Sequence, residues 1–298
     1  MLVSVIIPTF GYPKFLESSI NSVLKQTLQD FELIIVDDNN PDTEARERTE
    51  QLVVPLLEKE NRLKYIKHEY NKNGSAARNT GISVATGKYI SLLDSDDEYV
   101  LDRLEKCFNL MENSSCNVGG VYTGCEFKRN GKTYHIERNV KSGNYLVESL
   151  ACSFMFCTGS NIFVRKSVID ELKGFDETFI RHQDYEFLVR FFEKYSIAAI
   201  KEILVIKNNE NLNVPKIQKI IEIKKQFLRK YDYLIDKLSR KDQDYIYHTH
   251  YASIAENALR TREKNISREY YVKSKHYGRL TNRERFRKTV FSMLNIIS

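Results

Sequence analysis

The first hundred residues alternate between short apolar runs and stretches in which apolar residues recur at helical spacing. Four apolar runs have the length and composition of buried strands, at residues 2–7, 31–36, 63–68 and 88–93. Helices are predicted between them, at residues 16–24, from about residue 43, and at 75–86. Pro8 should end the first strand, and Pro55 should break the second helix. Repeated strand–helix units predict a mostly parallel sheet covered on both faces.

The next hundred residues follow a different pattern. Two β-type segments flank Asn130-Gly131, which predicts a hairpin with strands at 118–127 and 132–137. A short strand at 161–165 and an amphipathic helix at 184–195 follow. The α/β pattern therefore continues beyond the four strand–helix units, with antiparallel elements added to the sheet.

The last third of the chain is predicted to be helical and is basic. From about residue 215 one apolar stripe at helical spacing replaces the mixed pattern. Residues 215–298 hold 20 Lys and Arg against 9 Asp and Glu, whereas the whole chain has a formal net charge of +6, so the preceding part is acidic. We predict two parts, an α/β domain over residues 1–210 and a basic helical region over residues 211–298.

The composition is that of a globular protein with a sizeable core. The 298 residues are 42% hydrophobic and 29% charged. No apolar run reaches the ~18–20 residues of a membrane span, and the N-terminal run has neither the length nor the basic start of a signal peptide. The five cysteines form no CxxC pair, so free thiols in a reducing compartment are expected. These features predict a cytoplasmic protein.

Polar residues follow three of the predicted strands. The first strand is followed by Pro8-Thr9-Phe10, the second by Asp37-Asp38, and the fourth by the acidic turn Asp94-Ser95-Asp96-Asp97. In an open parallel sheet, ligands bind at the carboxyl ends of the strands. Carboxylates of this kind suit Mg²⁺ or Mn²⁺, which complete their coordination with phosphate oxygens. The alternative interpretation of the turn is a solvated loop or a helix cap, and Asp97 is predicted to cap the next helix.

Two common nucleotide-binding classes are excluded by the first loop. A dinucleotide-binding fold needs the pattern G-x-G-x-x-G after its first strand, so that the backbone can approach a pyrophosphate. Here the loop is Pro8-Thr-Phe-Gly11-Tyr-Pro13, with one glycine and two prolines. A Walker A sequence is also absent, which argues against a P-loop NTPase. A glycine-rich activator loop, which sugar-1-phosphate nucleotidyltransferases need, is missing too.

An ordered set of motifs resembles the family 2 glycosyltransferases. These motifs are Ser4-Val-Ile-Ile-Pro-Thr-Phe10, Gln26-Thr27, Phe31-Glu-Leu-Ile-Ile-Val-Asp-Asp38, Ser75-Ala-Ala-Arg-Asn-Thr-Gly81, Gly87-Lys-Tyr-Ile-Ser-Leu-Leu-Asp-Ser-Asp-Asp97, Gly174-Phe-Asp-Glu177 and Asp184-Tyr-Glu186. The resemblance spans about residues 2–210. It implies the GT-A fold and an inverting, metal-dependent sugar transferase. The chain departs from the family at Gly11, where asparagine is usual, and at Asn39-Asn40, where Gly-Ser is common.

The resemblance implies a nucleotide-binding half at residues 1–97 and an acceptor-side half at 98–210. Asp38 would accept the N3–H of a uracil or thymine ring, a contact that cytosine cannot offer. Arg78 would face the diphosphate, with a surface salt bridge as its alternative role. Asp96 is the first choice for the metal ligand, supported by Asp94. The remaining residues of the donor side are expected to be Pro8, Thr9, Phe10 and Ser95.

The same resemblance places the catalytic base at Asp184, which would take a proton from the acceptor hydroxyl. Its alternative role is to cap the helix that it opens. His182 is expected on the acceptor side or as a surface histidine, and Gly159 and Ser160 are expected to help form the acceptor pocket. Attack opposite the leaving group would invert the anomeric carbon. Processive family members carry Gln-x-x-Arg-Trp and membrane spans, so the absence of Trp predicts transfer of a single sugar.

The expected partners are a UDP- or dTDP-sugar donor, with UDP favoured, and a saccharide acceptor that is either free or lipid-linked. The setting implied is cell-surface polysaccharide or glycan assembly. Residues 279–298 form a basic amphipathic segment, typical of helices that lie on anionic membranes. Packing on the catalytic domain or on a second subunit, such as a homodimer partner, is the alternative. No nucleic-acid-binding motif accompanies the charge. A non-catalytic nucleotide-sugar-binding protein remains the rival hypothesis.

Overall fold

The computed structural model describes residues 1–157, 159–208 and 215–278. It divides into two compact units. The first unit comprises Met1–Asn144 and Met155–Asn211, and the second comprises Tyr145–Phe154 and Leu212–Ser298. Residues 145–154 thus belong with the C-terminal helices. The predicted basic segment at 279–298 lies outside the described residues.

The first unit contains nine strands among the described residues. In chain order they are β1 (Val3–Thr9), β2 (Phe31–Asp37), β3 (Leu63–Lys67), β4 (Tyr89–Leu92), β5 (Asp97–Tyr99), β6 (Val118–Arg129), β7 (Lys132–Glu137), β8 (Phe163–Arg165) and β9 (Ser196–Asn208). Its helices are α1 (Leu16–Leu24), α2 (Glu44–Leu57), α3 (Gly74–Val84), α4 (Arg103–Glu112), α6 (Lys166–Glu171) and α7 (Gln183–Phe192), with a short 3₁₀ turn at Gly159–Asn161. The second unit holds α5 (Leu146–Leu150), α8 (Ile217–Ile235), α9 (Arg240–Arg260) and α10 (Lys264–Tyr277).

The strands form one mixed sheet in the order β3-β2-β1-β4-β8-β6-β9-β5, with β7 paired to β6. Strands β3, β2, β1 and β4 are parallel, as the sequence predicts. Strand β8 is antiparallel to both β4 and β6, and β6 is parallel to β9. Because two reversals cancel, β9 runs in the direction of β4. The carboxyl ends of β1, β2, β4 and β9 therefore share one edge of the sheet.

The core lies where the apolar runs place it. Strands β1 and β2 are almost wholly buried, which explains their continuous apolar sequence. Helices α1 and α4 bury one face each against the sheet. Helix α3 presents small residues to β1, and at Gly81 an added Cβ would lie 2.4 Å from Ile6 Cγ2. The small-residue face thus lets α3, which carries Arg78, approach the strand ends closely.

Two expectations about prolines are wrong. Strand β1 continues through Pro8 to Thr9, since its ladder with β4 ends at Ile6 and the last residues pair only with β2. A proline without an N–H is tolerated where a strand has a partner on one side only. Helix α2 likewise continues through Pro55 to Leu57. Pro55 is exposed in the last turn, so a single backbone bond is lost at a solvated position.

The short strand β5 and the long strand β9 are additional to the predicted elements, and they change the role of Asp97. Asp97 is not a helix cap: it begins β5, pairs with Lys207 of β9 and is fully buried. Helix α4 begins only at Arg103. The hairpin at Asn130-Gly131 is confirmed, with both residues at positive φ.

The second unit is helical, as predicted. One cluster of buried apolar side chains in this unit comprises Ile217, Ile254, Ala255, Ala258, Leu259, Tyr270 and Tyr271. His250 is buried in this unit, its Nε2 lies 2.8 Å from the carbonyl oxygen of Leu150, and burial lowers its pKa to about 3. None of the described helices is long and apolar enough to cross a membrane.

Candidate functional site

The strand ends enclose a cavity of about 530 Å³ at the shared edge of the sheet. Every residue that was predicted for the donor side or the metal lines it, namely Pro8, Thr9, Phe10, Asp38, Arg78, Asp94, Ser95 and Asp96. Lys207, at the end of β9, lines it as well and was missed. The apolar run at residues 203–206 is the sequence signal that would have revealed the strand carrying Lys207.

The acidic turn after β4 brings three carboxylates together. One oxygen from each of Asp94, Asp96 and Asp97 lies within 4.8 Å of the others. Ser160 holds the turn in shape, because its hydroxyl accepts from the Asp94 backbone N–H at 2.9 Å and donates to Asp97 Oδ2 at 2.6 Å. Such close carboxylates repel each other unless a cation lies among them.

Asp97 and Lys207 form the buried end of this turn. Lys207 Nζ lies 3.6 Å from Asp97 Oδ2, and the backbone N–H of Asn208 donates to Asp97 Oδ1 at 3.1 Å. Burial, together with the charges of Asp94 and Asp96, raises the pKa of Asp97 to about 7 although Lys207 and Ser160 oppose the shift. Both carboxylate oxygens of Asp97 are engaged by protein groups, so this residue is a poor metal ligand.

The remaining two carboxylates fit a divalent cation. The backbone N–H of Asp96 itself donates to its carboxylate; burial and the charge of Asp94 raise the pKa of this carboxyl, although the charge of Lys207 opposes the shift. Asp94 uses Oδ1 to accept from Arg78 at 2.7 Å. Hard carboxylate oxygens at the edge of a polar cavity are the donor set that Mg²⁺ and Mn²⁺ prefer. Asp96, supported by Asp94, would hold such an ion.

Arg78 links the donor side to the segment that carries the predicted base. Its guanidinium donates to Asp94 Oδ1 at 2.7 Å and to Gln183 Oε1 at 2.8 Å, and lies 5.6 Å from the centre of the Phe175 ring. Burial disfavours the charged form, but Asp94 and Asp184 raise the pKa of Arg78. The side chain is buried, so the salt bridge is part of the cavity wall and not a surface pair.

Asp184 lies beside Arg78 with an unsatisfied oxygen. Its Oδ1 is buried and accepts no hydrogen bond from any described residue. Helix α7 begins at Gln183 with His182 at the cap position, so capping does not account for Asp184. Burial raises the pKa of Asp184, against the effect of Arg78 and with the effect of Asp94. A carboxylate oxygen that is buried without a hydrogen-bond donor costs stability, and such groups are often functional.

The three predicted acceptor-side residues have different surroundings. Gly159 lies against Asp184, the predicted catalytic base, since a Cβ at this position would be 3.0 Å from Asp184 Oδ1 and 3.4 Å from Arg78 Nη2. Ser160 is buried and uses its hydroxyl within the acidic turn. His182 adopts a left-handed backbone conformation, and its ring packs edge-on against Tyr185. The structure therefore brings Gly159 next to Asp184, whereas the expected acceptor contacts of all three residues stay predictions.

Asp38 organises the loop that precedes α3. One carboxylate oxygen lies 2.7 Å from His68 Nδ1 and accepts from the Lys72 backbone N–H, and the other accepts from Asn71 Nδ2 and the Asn73 backbone N–H. A carboxylate offers about four acceptor sites, and all four are used here. The expected contact with a base N3–H therefore requires one of these donors to yield.

The two departures from the family pattern touch each other. The backbone N–H of Gly11 donates to Asn39 Oδ1 at 2.7 Å, and Asn40 Oδ1 accepts from the Asn71 backbone N–H at 2.9 Å. Next to this contact, Phe10 and Tyr12 leave more than half of their surface exposed at the cavity. Exposed aromatic rings beside a polar cavity are suited to stacking on a planar base.

The Gly174–Glu177 motif is clamped onto α3. Asn79 Oδ1 accepts from the Phe175 backbone N–H at 2.8 Å, and Asn79 Nδ2 donates to the Phe175 carbonyl and to Glu177 Oε1, both at 2.9 Å. The carbonyl of Gly174 accepts from Arg190, which is paired with buried Glu186. Because this motif leads directly into α7, the clamp fixes Asp184 relative to Arg78.

Comparison with known proteins identifies the family model that the chain matches. The model described as glycosyl transferase family 2 matches residues 4–173. An uncharacterized glycosyltransferase of Methanocaldococcus jannaschii is 34% identical over 239 residues, which are 77% of each chain. The Escherichia coli UDP-Glc:alpha-D-GlcNAc-diphosphoundecaprenol beta-1,3-glucosyltransferase is 28% identical over 202 residues, covering 67% of this chain and 73% of the relative.

Two solved structures share the fold at low sequence identity. Staphylococcus aureus TarS 1-349 in complex with UDP-GlcNAc has a TM-score of 0.61 and 16% identity, covering 94% of this chain and 93% of that one. The mannosyltransferase PcManGT of Pyrobaculum calidifontis, in complex with GDP-Man and Mn²⁺, has a TM-score of 0.58 and 15% identity, covering 99% and 80%. These likenesses confirm the GT-A fold expected from the sequence.

Proposed function

Because this chain belongs to glycosyl transferase family 2 and is therefore a glycosyltransferase that acts on nucleotide sugars, we propose that it transfers one sugar, with inversion, from a UDP-sugar to a hydroxyl of a saccharide acceptor. The observation that carries the proposal is the buried, unpartnered Oδ1 of Asp184 beside Arg78 and the acidic turn. A thymine nucleotide is the alternative donor, since it offers the same N3–H.

The donor side is formed by the ends of β1, β2 and β4. Phe10 and Tyr12 would flank the nucleotide base, and the buried residues Thr9 and Asp38 line the same cavity. The structural relative in complex with UDP-GlcNAc supports a uracil nucleotide as the donor. The other relative is in complex with GDP-Man, so the choice of nucleotide base depends on the residues around each protein's cavity. Asn71 and Asn73 donate hydrogen bonds to the Asp38 carboxylate and supply polar groups to the part of the cavity next to Asp38.

The chemistry needs a base and a way to stabilise the departing diphosphate. Asp184 takes the proton of the acceptor hydroxyl, and its raised pKa makes it a stronger base than an ordinary aspartate. Attack from the side opposite to the diphosphate then inverts the anomeric carbon. Arg78 holds Asp94 by a hydrogen bond, and its charge favours the ionised form of Asp184. A divalent cation on Asp96 and Asp94 would neutralise the charge that builds on the leaving group.

We place the acceptor in cell-surface polysaccharide assembly and expect it to be lipid-linked. The Escherichia coli relative is named for a diphosphoundecaprenol-linked acceptor, which supports this choice. A cytoplasmic location with contact at the inner face of the plasma membrane would give such an enzyme access to its acceptor. That contact and a homodimer remain predictions.

The proposal is tested by following transfer from UDP-sugars by proton NMR. The protein, Mn²⁺ and a soluble GlcNAc-diphosphate lipid analogue are mixed with α-linked UDP-glucose, UDP-galactose or UDP-GlcNAc. We expect one donor to release UDP and to give a β-anomeric signal in the product. An α-anomeric product would contradict inversion. Transfer from GDP-mannose in preference to every UDP-sugar would contradict the proposed donor.

A further inference from the structure

Asp38 lines the cavity, but its carboxylate is already fully engaged by protein groups. Oδ1 lies 2.7 Å from His68 Nδ1 and accepts from the Lys72 backbone N–H at 2.8 Å. Oδ2 accepts from Asn71 Nδ2 at 2.8 Å and from the Asn73 backbone N–H at 3.0 Å. Because a carboxylate has about four acceptor sites, a nucleotide base can bind Asp38 only if the protein gives up one of these hydrogen bonds.

Asn71 lies beside Asp38, is exposed and lines the same cavity. Its Nδ2 donates to the Asp38 carboxylate at 2.8 Å and to the Asp38 carbonyl oxygen at 3.1 Å. These two acceptors fix which end of the carboxamide is the amino group, so the carboxamide oxygen is directed away from Asp38. Among the residues that the structure describes, none donates a hydrogen bond to Asn71 Oδ1. The carboxamide is thus held in one orientation with its acceptor unused.

The two asparagines that depart from the family pattern after β2 connect Asn71 to the aromatic loop of the cavity. Asn40 Oδ1 accepts from the Asn71 backbone N–H at 2.9 Å, and Asn39 Oδ1 accepts from the Gly11 backbone N–H at 2.7 Å. Gly11 lies between the two exposed aromatic residues that line the cavity. We therefore expect a base that stacks on these rings to reach the Asn71 carboxamide.

Asn73, the other asparagine of this part of the cavity, is not an alternative acceptor. Its Oδ1 accepts from the backbone N–H groups of Ser75 and Ala76 and so caps α3. Its Nδ2 donates to the Glu177 carbonyl oxygen at 3.1 Å. The side chain of Asn73 is therefore committed to the fold, whereas that of Asn71 keeps an acceptor for a ligand.

We propose that Asn71 Oδ1 accepts the N3–H of the uracil or thymine ring of the donor, and that Asp38 orients Asn71 without contacting the ring. The inference rests on the proposed function, since it requires a UDP- or dTDP-sugar in this cavity. It makes Asn71 a specificity-determining residue. Uracil and thymine present a hydrogen-bond donor at N3, whereas cytosine presents a lone pair there, which Oδ1 would repel.

The contact is tested with a nucleotide that lacks the N3 hydrogen. UDP and N3-methyl-UDP are titrated calorimetrically into the full chain at saturating Mn²⁺. The wild-type protein should bind UDP about 5- to 30-fold more tightly than N3-methyl-UDP, because the methyl group removes one hydrogen bond and leaves Oδ1 unpaired. In Asn71→Ala the two affinities should agree within about twofold, because the acceptor is gone.

Two further variants make the result specific to the contact. Asn61 is exposed at the opposite end of β3 and does not line the cavity, so Asn61→Ala should keep the wild-type preference for UDP. Asn71→Ser keeps a hydroxyl that can donate to Asp38 but withdraws the side-chain oxygen by one bond, so it should lose the preference as Asn71→Ala does. It decides the question if Asn71→Ala does not fold. A residue that only stabilised the loop would weaken both nucleotides equally and leave their ratio unchanged.

The outcomes separate this inference from the proposed function. A preference for UDP of wild-type size in folded Asn71→Ala or Asn71→Ser would show that another acceptor, such as Asp38 or Thr9, holds the N3–H, and it would overturn the role of Asn71. Equal binding of UDP and N3-methyl-UDP by the wild-type protein would also overturn that role, while the donor site would stand. Failure of the wild-type protein to bind UDP with Mn²⁺ would overturn both.

Discussion

Replacing Asp184 with asparagine is expected to lower kcat by about 10²- to 10⁴-fold, the usual contribution of a general base. Asparagine keeps the shape of the side chain but cannot take the proton of the acceptor hydroxyl. UDP affinity in the presence of Mn²⁺ should stay within about threefold, because Asp184 contributes proton transfer and not donor binding. Sugar transfer measured by UDP release, together with a UDP titration, checks both parts of this expectation.

A matched control distinguishes catalysis from a general loss of charge. Asp170, an exposed carboxylate on α6 that pairs with Lys166, lies outside the cavity, so Asp170→Asn should leave kcat unchanged. The melting temperature of Asp184→Asn should not fall, since the replaced Oδ1 has no hydrogen-bond partner to lose. Full activity in Asp184→Asn would show that Asp184 is not the catalytic base.

The second large effect is expected at the acidic turn. Asp96→Asn should weaken Mn²⁺ binding by at least about 100-fold, since it removes the carboxylate that is the first choice for the metal ligand within the group Asp94, Asp96 and Asp97. UDP binding and sugar transfer should fall with it, because the metal links the donor to the turn. Manganese titration followed by the transfer assay provides the measurement.

Asp102 offers the control for this variant. It is the first aspartate after the acidic turn, it pairs with Lys106 at 2.6 Å, and its carboxylate does not line the cavity. Asp102→Asn should therefore bind Mn²⁺ like the wild-type protein. Equal Mn²⁺ affinity in Asp96→Asn and in the wild type would show that the metal, if used, is held elsewhere.

Local patterns predicted the elements that form the donor side. Buried strands are continuous apolar runs, and β1, β2 and β4 have such runs, so their ends and the polar residues that follow could be predicted. Because parallel strands end at one edge, Asp38 and the acidic turn could be expected in one crevice before any contact was known.

The surroundings of several site residues could not be predicted, because they depend on contacts between distant parts of the chain. Asp97 has the local context of a helix cap, but pairing of β5 with β9 buries it opposite Lys207. The hydroxyl of Ser160 bridges Asp94 and Asp97 across a long stretch of chain, which no local pattern predicts. The motif likewise predicts that Asp38 contacts the nucleotide base. No local pattern predicts that four hydrogen-bond donors, from His68 and residues 71–73, occupy its carboxylate.

The central claim is that the cavity at the strand ends binds a nucleotide diphosphate through a divalent cation. Its most direct test is the melting temperature of the wild-type protein with UDP, dTDP, GDP and ADP, each with Mn²⁺ and with EDTA. Ligand at about 100 times its dissociation constant stabilises a protein by ~2.7 kcal/mol, which is several degrees for a chain of this size. We expect UDP to give this increase with Mn²⁺ and to lose most of it in EDTA. No response to any nucleotide diphosphate, or an equal response to UDP with and without metal, would contradict the claim.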